Sequence, residues 1–378
     1  MFYVPKKDGE DRPVQDYRVL NRYTVKDNSP LPNIKQTIAD LVHAFVFTKF
    51  NIRWGYNNIH IKKGDEWKAA FKTPYGVFEP TVMFFGLTNS PATFQTMMNH
   101  IFRPLIDKHA PLGTTIRVYM DDIIIGTSST MGAHITAVHD VLDLLEKHDL
   151  YLKPAKCKFH TDSINYLGVI LEKGVTCMDP IKISGIKEWP TPTKVKDVQS
   201  FLGFCNFYRA FIRGFAHVAR PLTQLTRKDV TWQWGIEQQE AFDTLKNRVT
   251  SEPILAQPNL AEQFVLEVDA SGYAVGAVLL QCKEDNKLHP IGYFSSTLNE
   301  AERNYDIYDL ELLAIVKALE HWRPYLAGSP HKIKVFSDHM NLQYWRQPHK
   351  ISRRVAREVL TLSEYNIEIH HIKGKANG

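Results

Sequence analysis

From Ile116 to Ile125 the chain is apolar on both flanks of a polar centre, Tyr119-Met120-Asp121-Asp122. That pattern predicts a buried β-hairpin with acids at its tip, a costly arrangement unless the acids serve a purpose. Upstream, strand-type residues on either side of Lys7-Asp8-Gly9 predict a hairpin over residues 2–18, its Asp-Gly pair signalling a tight turn. Residues 34–43 read as a short helix, 45–52 as a strand leading into Gly55-Tyr56, and 58–62 with 67–71 as a strand pair. A helix is predicted from Ser90-Pro91 to residue 108, with the proline near the first turn, where its missing N–H is harmless. A helix at 133–149, a strand at 165–171 and a turn at Lys173-Gly174 follow.

Past Asp179-Pro180 the spacing becomes helical, and Trp189-Pro190-Thr191-Pro192 and Glu252-Pro253 read as linkers bracketing that segment. From residue 263 the pattern gives strands at 263–268, 274–281 and 289–295, then a helix at 306–325, a strand at 332–337, a helix at 352–363 and a strand at 366–372. This is a mixed α/β order. There is no internal repeat, which excludes a solenoid.

At 378 residues the chain is long enough for two or three domains, each with a sizeable core. Its 44% apolar and 23% charged residues are ordinary for globular protein, and no apolar run approaches the ~18 residues of a spanning helix, so no membrane partner is expected. Met1-Phe2-Tyr3-Val4 runs straight into a strand-like stretch without a signal peptide's basic region and apolar core, which implies cytoplasmic or nuclear residence. Cys157, Cys177, Cys205 and Cys282 are too widely spaced for a zinc site and read as reduced structural thiols. Charge adds a sharper point. Residues 180–250 hold eleven Lys and Arg against six Asp and Glu, interleaved with Phe201, Phe204, Phe207, Tyr208, Phe211 and Phe215. A basic helical module of this kind suits a phosphate backbone; the plainer alternative makes the aromatics core and the cations a solvated surface.

Acids at the tip of an apolar hairpin suit Mg²⁺, a hard cation that takes carboxylate and phosphate oxygens. Two-metal phosphoryl transfer needs acids gathered from separate strands, and the natural partner for Asp121 and Asp122 lies after Phe45-Val46-Phe47-Thr48-Lys49-Phe50, where residue 51 is Asn. In the second half Asp269 ends a strand, Glu311 sits in a helix at the edge of the stripe Leu312, Ile315, Val316, Leu319 and Trp322, and Asp338 ends another strand. Each has a plainer alternative: Asp269 before Ala-Ser-Gly fits a turn residue, and Glu311 fits a solvated helix position.

The order of motifs resembles the reverse transcriptase and RNase H region of gypsy-class LTR retrotransposon polyproteins over nearly the whole chain. The resemblance rests on Val4-Pro5-Lys6-Lys7-Asp8-Gly9 with Asp16-Tyr17-Arg18-Val19-Leu20-Asn21, on Phe47-Thr48-Lys49-Phe50-Asn51 through Gly55-Tyr56, and on Phe85-Gly86-Leu87-Thr88-Asn89-Ser90-Pro91-Ala92-Thr93-Phe94-Gln95. Tyr119-Met120-Asp121-Asp122, Phe201-Leu202-Gly203 with Tyr208-Arg209, Val268-Asp269-Ala270-Ser271, Glu311-Leu312-Leu313-Ala314-Ile315-Val316 and Ser337-Asp338-His339 complete it. It implies an α+β right-hand polymerase followed by an α/β RNase H-like domain: fingers and palm over 1–178, a helical thumb or connection over 179–255 and the RNase H-like domain over 256–378.

Residue by residue, it implies that Lys6 and Arg12 grip the incoming triphosphate, that Tyr56 excludes a ribose 2′-hydroxyl and that Gly86 belongs to the loop under the nascent base pair. Asp121 and Asp122 become palm metal ligands, Asp269, Glu311 and Asp338 RNase H metal ligands, and Leu167-Gly168 the primer grip. The implied cofactor is Mg²⁺, with Mn²⁺ as a substitute; the implied partners are an RNA template, a DNA primer, RNA-DNA hybrid and dNTPs. Two departures stand out. Asn51 occupies the place of the family's Asp, so a neutral carbonyl replaces a charged ligand and polymerisation is expected to be impaired. The chain also starts late in the fingers and stops at Lys375-Ala376-Asn377-Gly378, before the helix that carries the family's fourth nuclease acid, which suggests a fragment or a decayed copy. The competing reading is a nucleic-acid-binding remnant whose chemistry has lapsed.

Overall fold

Strict alternation in Thr114–Tyr119 and a continuous apolar run in Asp122–Thr127 place these strands in a sheet with one well-buried partner surface. The computed structural model describes residues 2–5, 11–41, 43–251, 254–344 and 353–372. The chain divides into two compact units, residues 1–167 with 171–173, and residues 168–170 with 174–378. Among the described residues no helix is long and apolar enough to cross a membrane.

The first unit is built on a four-stranded sheet. Strands β1 (Val46–Asn51), β2 (Thr114–Tyr119), β3 (Asp122–Thr127) and β4 (Lys158–Thr161) lie in the order β2-β3-β1-β4, with β3 antiparallel to both neighbours. Helices α1 (Ser90–His109) and α2 (Met131–Lys147) pack on it through Phe94, Met98, Phe102, Val138 and Val141, all at most 4% exposed. Thr130 caps α2 by accepting from the Ala133 N–H. An N-terminal hairpin pairs Phe2–Pro5 with Asp11–Val14; the Lys7-Asp8-Gly9 turn lies outside the described residues.

The strand pair expected at 58–62 and 67–71 does not form. Gly55–Asn58 and Glu66–Ala69 wind into 3₁₀ turns, His60 makes only an isolated bridge to Val82, and pairing falls on Phe71–Thr73 with Gly76–Phe78. Local polar contacts outcompete the extended backbone. The Asn58 amide donates to the carbonyls of Arg53, Trp54 and Gly55, and the Glu66 carboxylate accepts from the Gly64 N–H. The strand expected at 165–171 is also broken. Leu167 and Gly168 both take positive φ, 49° and 88°, and turn the chain between Ser163–Tyr166 and Val169–Glu172.

In the second unit come helices α3 (Pro180–Lys187), α4 (Val195–Phe207) and α5 (Ile236–Ser251). Phe201, Tyr208, Phe211 and Phe215 are buried, so these aromatics are core, as the plainer alternative had it, whereas Phe207 is exposed. Trp189 is no free linker: its ring packs on Phe201 and Phe204, while Glu252-Pro253 lies outside the described residues. A five-stranded mixed sheet follows, made of β5 (Phe264–Ala270), β6 (Ala274–Cys282), β7 (Leu288–Thr297), β8 (Ile333–Ser337) and β9 (Ile367–His371) in the order β7-β6-β5-β8-β9. The β5–β8 and β8–β9 pairs are parallel, the others antiparallel. Helix α6 (Ile307–His321) buries Leu312, Ile315 and Leu319 against it. The helix expected over 306–325 divides, with Arg323–Leu326 separate, because Pro324 lacks an N–H and its ring collides with the carbonyl four residues back.

One buried polar network ties the first sheet to α2. His134, fully buried, places Nε2 2.8 Å from Thr48 Oγ1 on β1 and Nδ1 2.8 Å from Thr127 Oγ1 on β3, while Thr48 Oγ1 also accepts from the His160 N–H. Burial, and then the charge of His160, push the His134 imidazole down to about 4. An imidazole that folding keeps neutral stabilises fully above its ordinary value of 6.5 and progressively less as pH falls towards 4. Denaturant titration should therefore show this unit losing roughly 3 kcal/mol between pH 7 and pH 4. His134→Leu should start lower at pH 7, since two buried hydroxyls lose a partner, and show a shallower acid slope.

Candidate active sites

The first candidate site grows from the β2–β3 turn. Met120 takes φ +54°, and its N–H donates at 2.7 Å to Gln95 Oε1, whose Nε2 donates to the Val118 carbonyl at 3.1 Å. Gln95 on α1, 1% exposed, thus holds the acidic turn from beneath. The Ile52 N–H donates to the Asp121 carbonyl at 2.7 Å, and Asn51 lies directly opposite Asp122 across the β1–β3 ladder. Residue 51 thus ends a central strand beside the acidic turn, the place expected from sequence for the partner of Asp121 and Asp122.

The consequence is a closed polar contact. Asn51 Nδ2 donates to Asp122 Oδ1 at 2.8 Å, and Lys49 Nζ stands 3.1 Å from Asp122 Oδ2. An amide beside a carboxylate presents its N–H, because the carboxylate only accepts. Both Asp122 oxygens are thus engaged by protein donors. Lys49 also lies 5.7 Å over the ring of Tyr166, a fully buried phenol that burial, and then the charge of Asp122, hold in its neutral form.

Asp121 is exposed beside Gly55, where a Cβ would come within 3.5 Å of Asp121 Cβ and 3.3 Å of the Phe94 ring. Tyr56 is braced by Phe85 and Phe94 at ring distances of 5.1 and 5.9 Å. Gly86 takes φ +107°, and a Cβ there would meet the Gln15 carbonyl at 2.5 Å, so a side chain is excluded twice. Asn21 fixes that loop by donating to the Gly86 carbonyl and accepting from the Thr88 N–H. Lys6 and the side chain of Arg12 lie outside the described residues.

The second candidate site joins β5, α6 and β8. Glu311 is 2% exposed, and its Oε1 accepts from the Ala270 N–H at 3.1 Å while Oε2 accepts from Ser337 Oγ at 3.0 Å. It is therefore bolted between the residue after Asp269 and the residue before Asp338. The expectation of a stripe-edge or solvated position is corrected: Asp309 to Val316 are all buried, which leaves Glu311 no wet edge. Burial pushes the Glu311 carboxyl up to about 7, with the charges of Asp338 and Asp269 adding to the rise and the Ser337 hydrogen bond opposing it. Asp269, although surface-exposed, is also raised, first by lost hydration and then by Asp338.

Three mutually repelling carboxylates suit a hard divalent cation, which would neutralise them, whereas in the first site an amide and an ammonium already serve Asp122. Among the described residues no three His, Cys, Asp or Glu side chains stand close enough together to hold a metal ion as they are. The ligand sets expected from sequence are thus adjacent without being closed. Sequence reasoning missed Gln95, Lys49 and Ser337. Gln95 and Lys49 lie inside quoted motif blocks, and Ser337 directly precedes Asp338.

Because folded Glu311 keeps its proton up to about 7 and an unfolded Glu releases it near 4.5, the fold loses stability as pH rises through that window, by roughly 3 kcal/mol at pH 8. Glu311→Gln retains an acceptor for Ala270 and removes the charge. Thermal melts should coincide at pH 5 and separate at pH 8, the variant melting several degrees higher, and Mg²⁺ should narrow the gap by stabilising the unsubstituted chain alone.

Residues 4–171 match the family model described as reverse transcriptase (RNA-dependent DNA polymerase), and residues 234–335 match the RNase H-like domain found in reverse transcriptase. The Tf2-3 and Tf2-7 transposon polyproteins of Schizosaccharomyces pombe (strain 972 / ATCC 24843) are each 38% identical over 381 aligned residues, covering all of this chain and 28% of their own length. Foamy viral protease-reverse transcriptase in complex with double-stranded DNA, in the form designated dRH, superposes with a TM-score of 0.80 at 22% identity, over 98% of this chain and 64% of that one. The complex with RNA/DNA hybrid gives 0.72 at 21% identity, over 98% and 50%. The α+β polymerase architecture followed by an RNase H-like fold is thereby established. The chain belongs to the reverse transcriptase and RNase H region of gypsy-like LTR retrotransposon polyproteins, and spans just over a quarter of the length of those it matches.

Proposed function

We propose that the chain copies RNA into DNA poorly and degrades the RNA strand of RNA-DNA hybrids, with a fingers-and-palm region over 1–178, a helical thumb or connection over 179–255 and a nuclease region from 256. The observation that carries this asymmetry is the contact between Asn51 Nδ2 and Asp122 Oδ1, set beside a Glu311 held between the neighbours of Asp269 and Asp338. Bound Mg²⁺ or Mn²⁺ would supply Lewis acidity and charge neutralisation at either centre. Asp121 and Asp122 would hold it in the palm; Asp269, Glu311 and Asp338 would hold it in the nuclease.

The remaining roles fall to the chain's own groups. Tyr56, braced by Phe85 and Phe94, offers a ring that limits the sugar of an incoming dNTP, and the Gly86 loop, pinned by Asn21, supports the base pair. Lys6 and Arg12 are the proposed triphosphate contacts. That the foamy viral enzymes of this fold were solved with double-stranded DNA and RNA/DNA hybrid supports nucleic acid as the partner. A second reading, a binder without polymerase chemistry, is favoured by the two donors that occupy Asp122.

Primer extension separates these readings. Asn51→Asp should raise nucleotide incorporation by two or more orders of magnitude, the scale of several kcal/mol of metal-borne charge stabilisation. Equal rates for the two chains would remove Asn51 as the impairment. Asn51→Asp should also melt lower than the unsubstituted chain in EDTA, since two carboxylates then face each other across the 2.8 Å contact, and recover on adding Mg²⁺. Hybrid cleavage with Mn²⁺ tests the nuclease half, and Glu311→Gln should abolish it.

A further inference from the structure

The turn after α4 is nailed to the nuclease-like sheet of its own unit. Arg209 donates to the Ser295 carbonyl on β7, the buried Ala216 N–H donates to Ser295 Oγ at 2.9 Å, and Arg248 donates to the Arg213 carbonyl. Phe215, 7% exposed, anchors the same turn, and Gly214 allows its φ of +59°. Arg213 is consequently presented from a rigid base, which is what a precise contact requires.

Its side chain lines a cleft of 140 Å³ with Glu267, Asp269, Gly276 and Ala277. Gly276 lies opposite Asp269 in the β5–β6 register, and a Cβ there would meet nothing nearer than the Phe294 carbonyl oxygen at 3.9 Å, so the cleft floor is open to a ligand's approach. The charge of Arg213 reaches both Glu267 and Asp269, yet among the described residues neither carboxylate closes an ion pair with it. An exposed guanidinium held beside the acidic trio keeps its donors for an anion.

We propose that Arg213 grips a backbone phosphate adjacent to the linkage presented to Asp269, so that the helical segment sets where the nuclease-like site cuts a hybrid. This deepens the RNase H reading and rests on it. Arg213 is a positioning residue in this account.

The test uses the full chain with hybrids carrying one neutral methylphosphonate linkage at a time, scanned along both strands, with Ca²⁺ for binding and Mn²⁺ for cleavage. At one linkage the neutral substitution should weaken binding by the unsubstituted chain roughly ten-fold, the scale of one charge-assisted hydrogen bond. Arg213→Ala should lose that factor on unmodified hybrid, be insensitive to the same linkage, flatten the salt dependence by about one phosphate contact and blur the cleavage positions. Arg213→Lys should fall between. If the unsubstituted chain binds hybrid and Arg213→Ala binds and cuts it identically, the inference is overturned while the RNase H reading stands. Full rescue of Arg213→Ala by Glu267→Gln also overturns it, because Arg213 then merely offsets Glu267. If the unsubstituted chain binds no hybrid, the reading itself fails and takes the inference with it.

Discussion

Carboxylates brought together in a fold must be neutralised, and this chain meets that constraint in two ways. In the palm-like sheet Asp122 is served by the Asn51 amide on one oxygen and the Lys49 ammonium on the other. In the nuclease-like sheet the buried Glu311 is left with a proton it holds up to about 7, because water is excluded and, secondarily, Asp338 and Asp269 press on it. The first solution needs no cation. The second leaves a carboxyl whose ionised form would, on the proposed nuclease reading, call for one, whereas the contact at Asp122 is made by Asn51 together with Lys49.

Both solutions depend on how rigidly the acids are held. Gln95 stabilises the positive-φ turn at Met120, so the Asp121-Asp122 pair does not depend on a metal for its placement. The Ala270 N–H and Ser337 Oγ do the same for Glu311. Each support joins residues far apart in sequence.

Much of this was legible in the sequence because the signals were periodic. The acid-tipped hairpin at 114–127, the helix from Ser90 and the strands of the second sheet follow from alternation, a first-turn proline and apolar stripes. The place of residue 51 at the end of a central strand followed from sequence, and its pairing opposite Asp122 is supplied by the fold. What escaped was decided locally: the Asn58 and Glu66 side chains reached backbone and dissolved a predicted strand pair, and positive φ at Leu167 and Gly168 turned a strand that periodicity alone ran through. The burial of Glu311 escaped for a related reason. A helix stripe shows which face is apolar, and cannot show that the Arg353–Ser363 helix and the Met340–Tyr344 turn pack on the helix in addition to the sheet.

On the proposed reading, the Asn51 amide and the Lys49 ammonium stand in for a metal at Asp122, while Asp269, Glu311 and Asp338 would hold one in the nuclease-like sheet. Counting bound Mn²⁺ by electron paramagnetic resonance, in the free chain at pH 8, tests this most directly. One class of tight sites is expected, lost in Asp269→Asn and unaffected by Asp121→Asn. Tight Mn²⁺ lost on Asp121→Asn and retained in Asp269→Asn would contradict this reading.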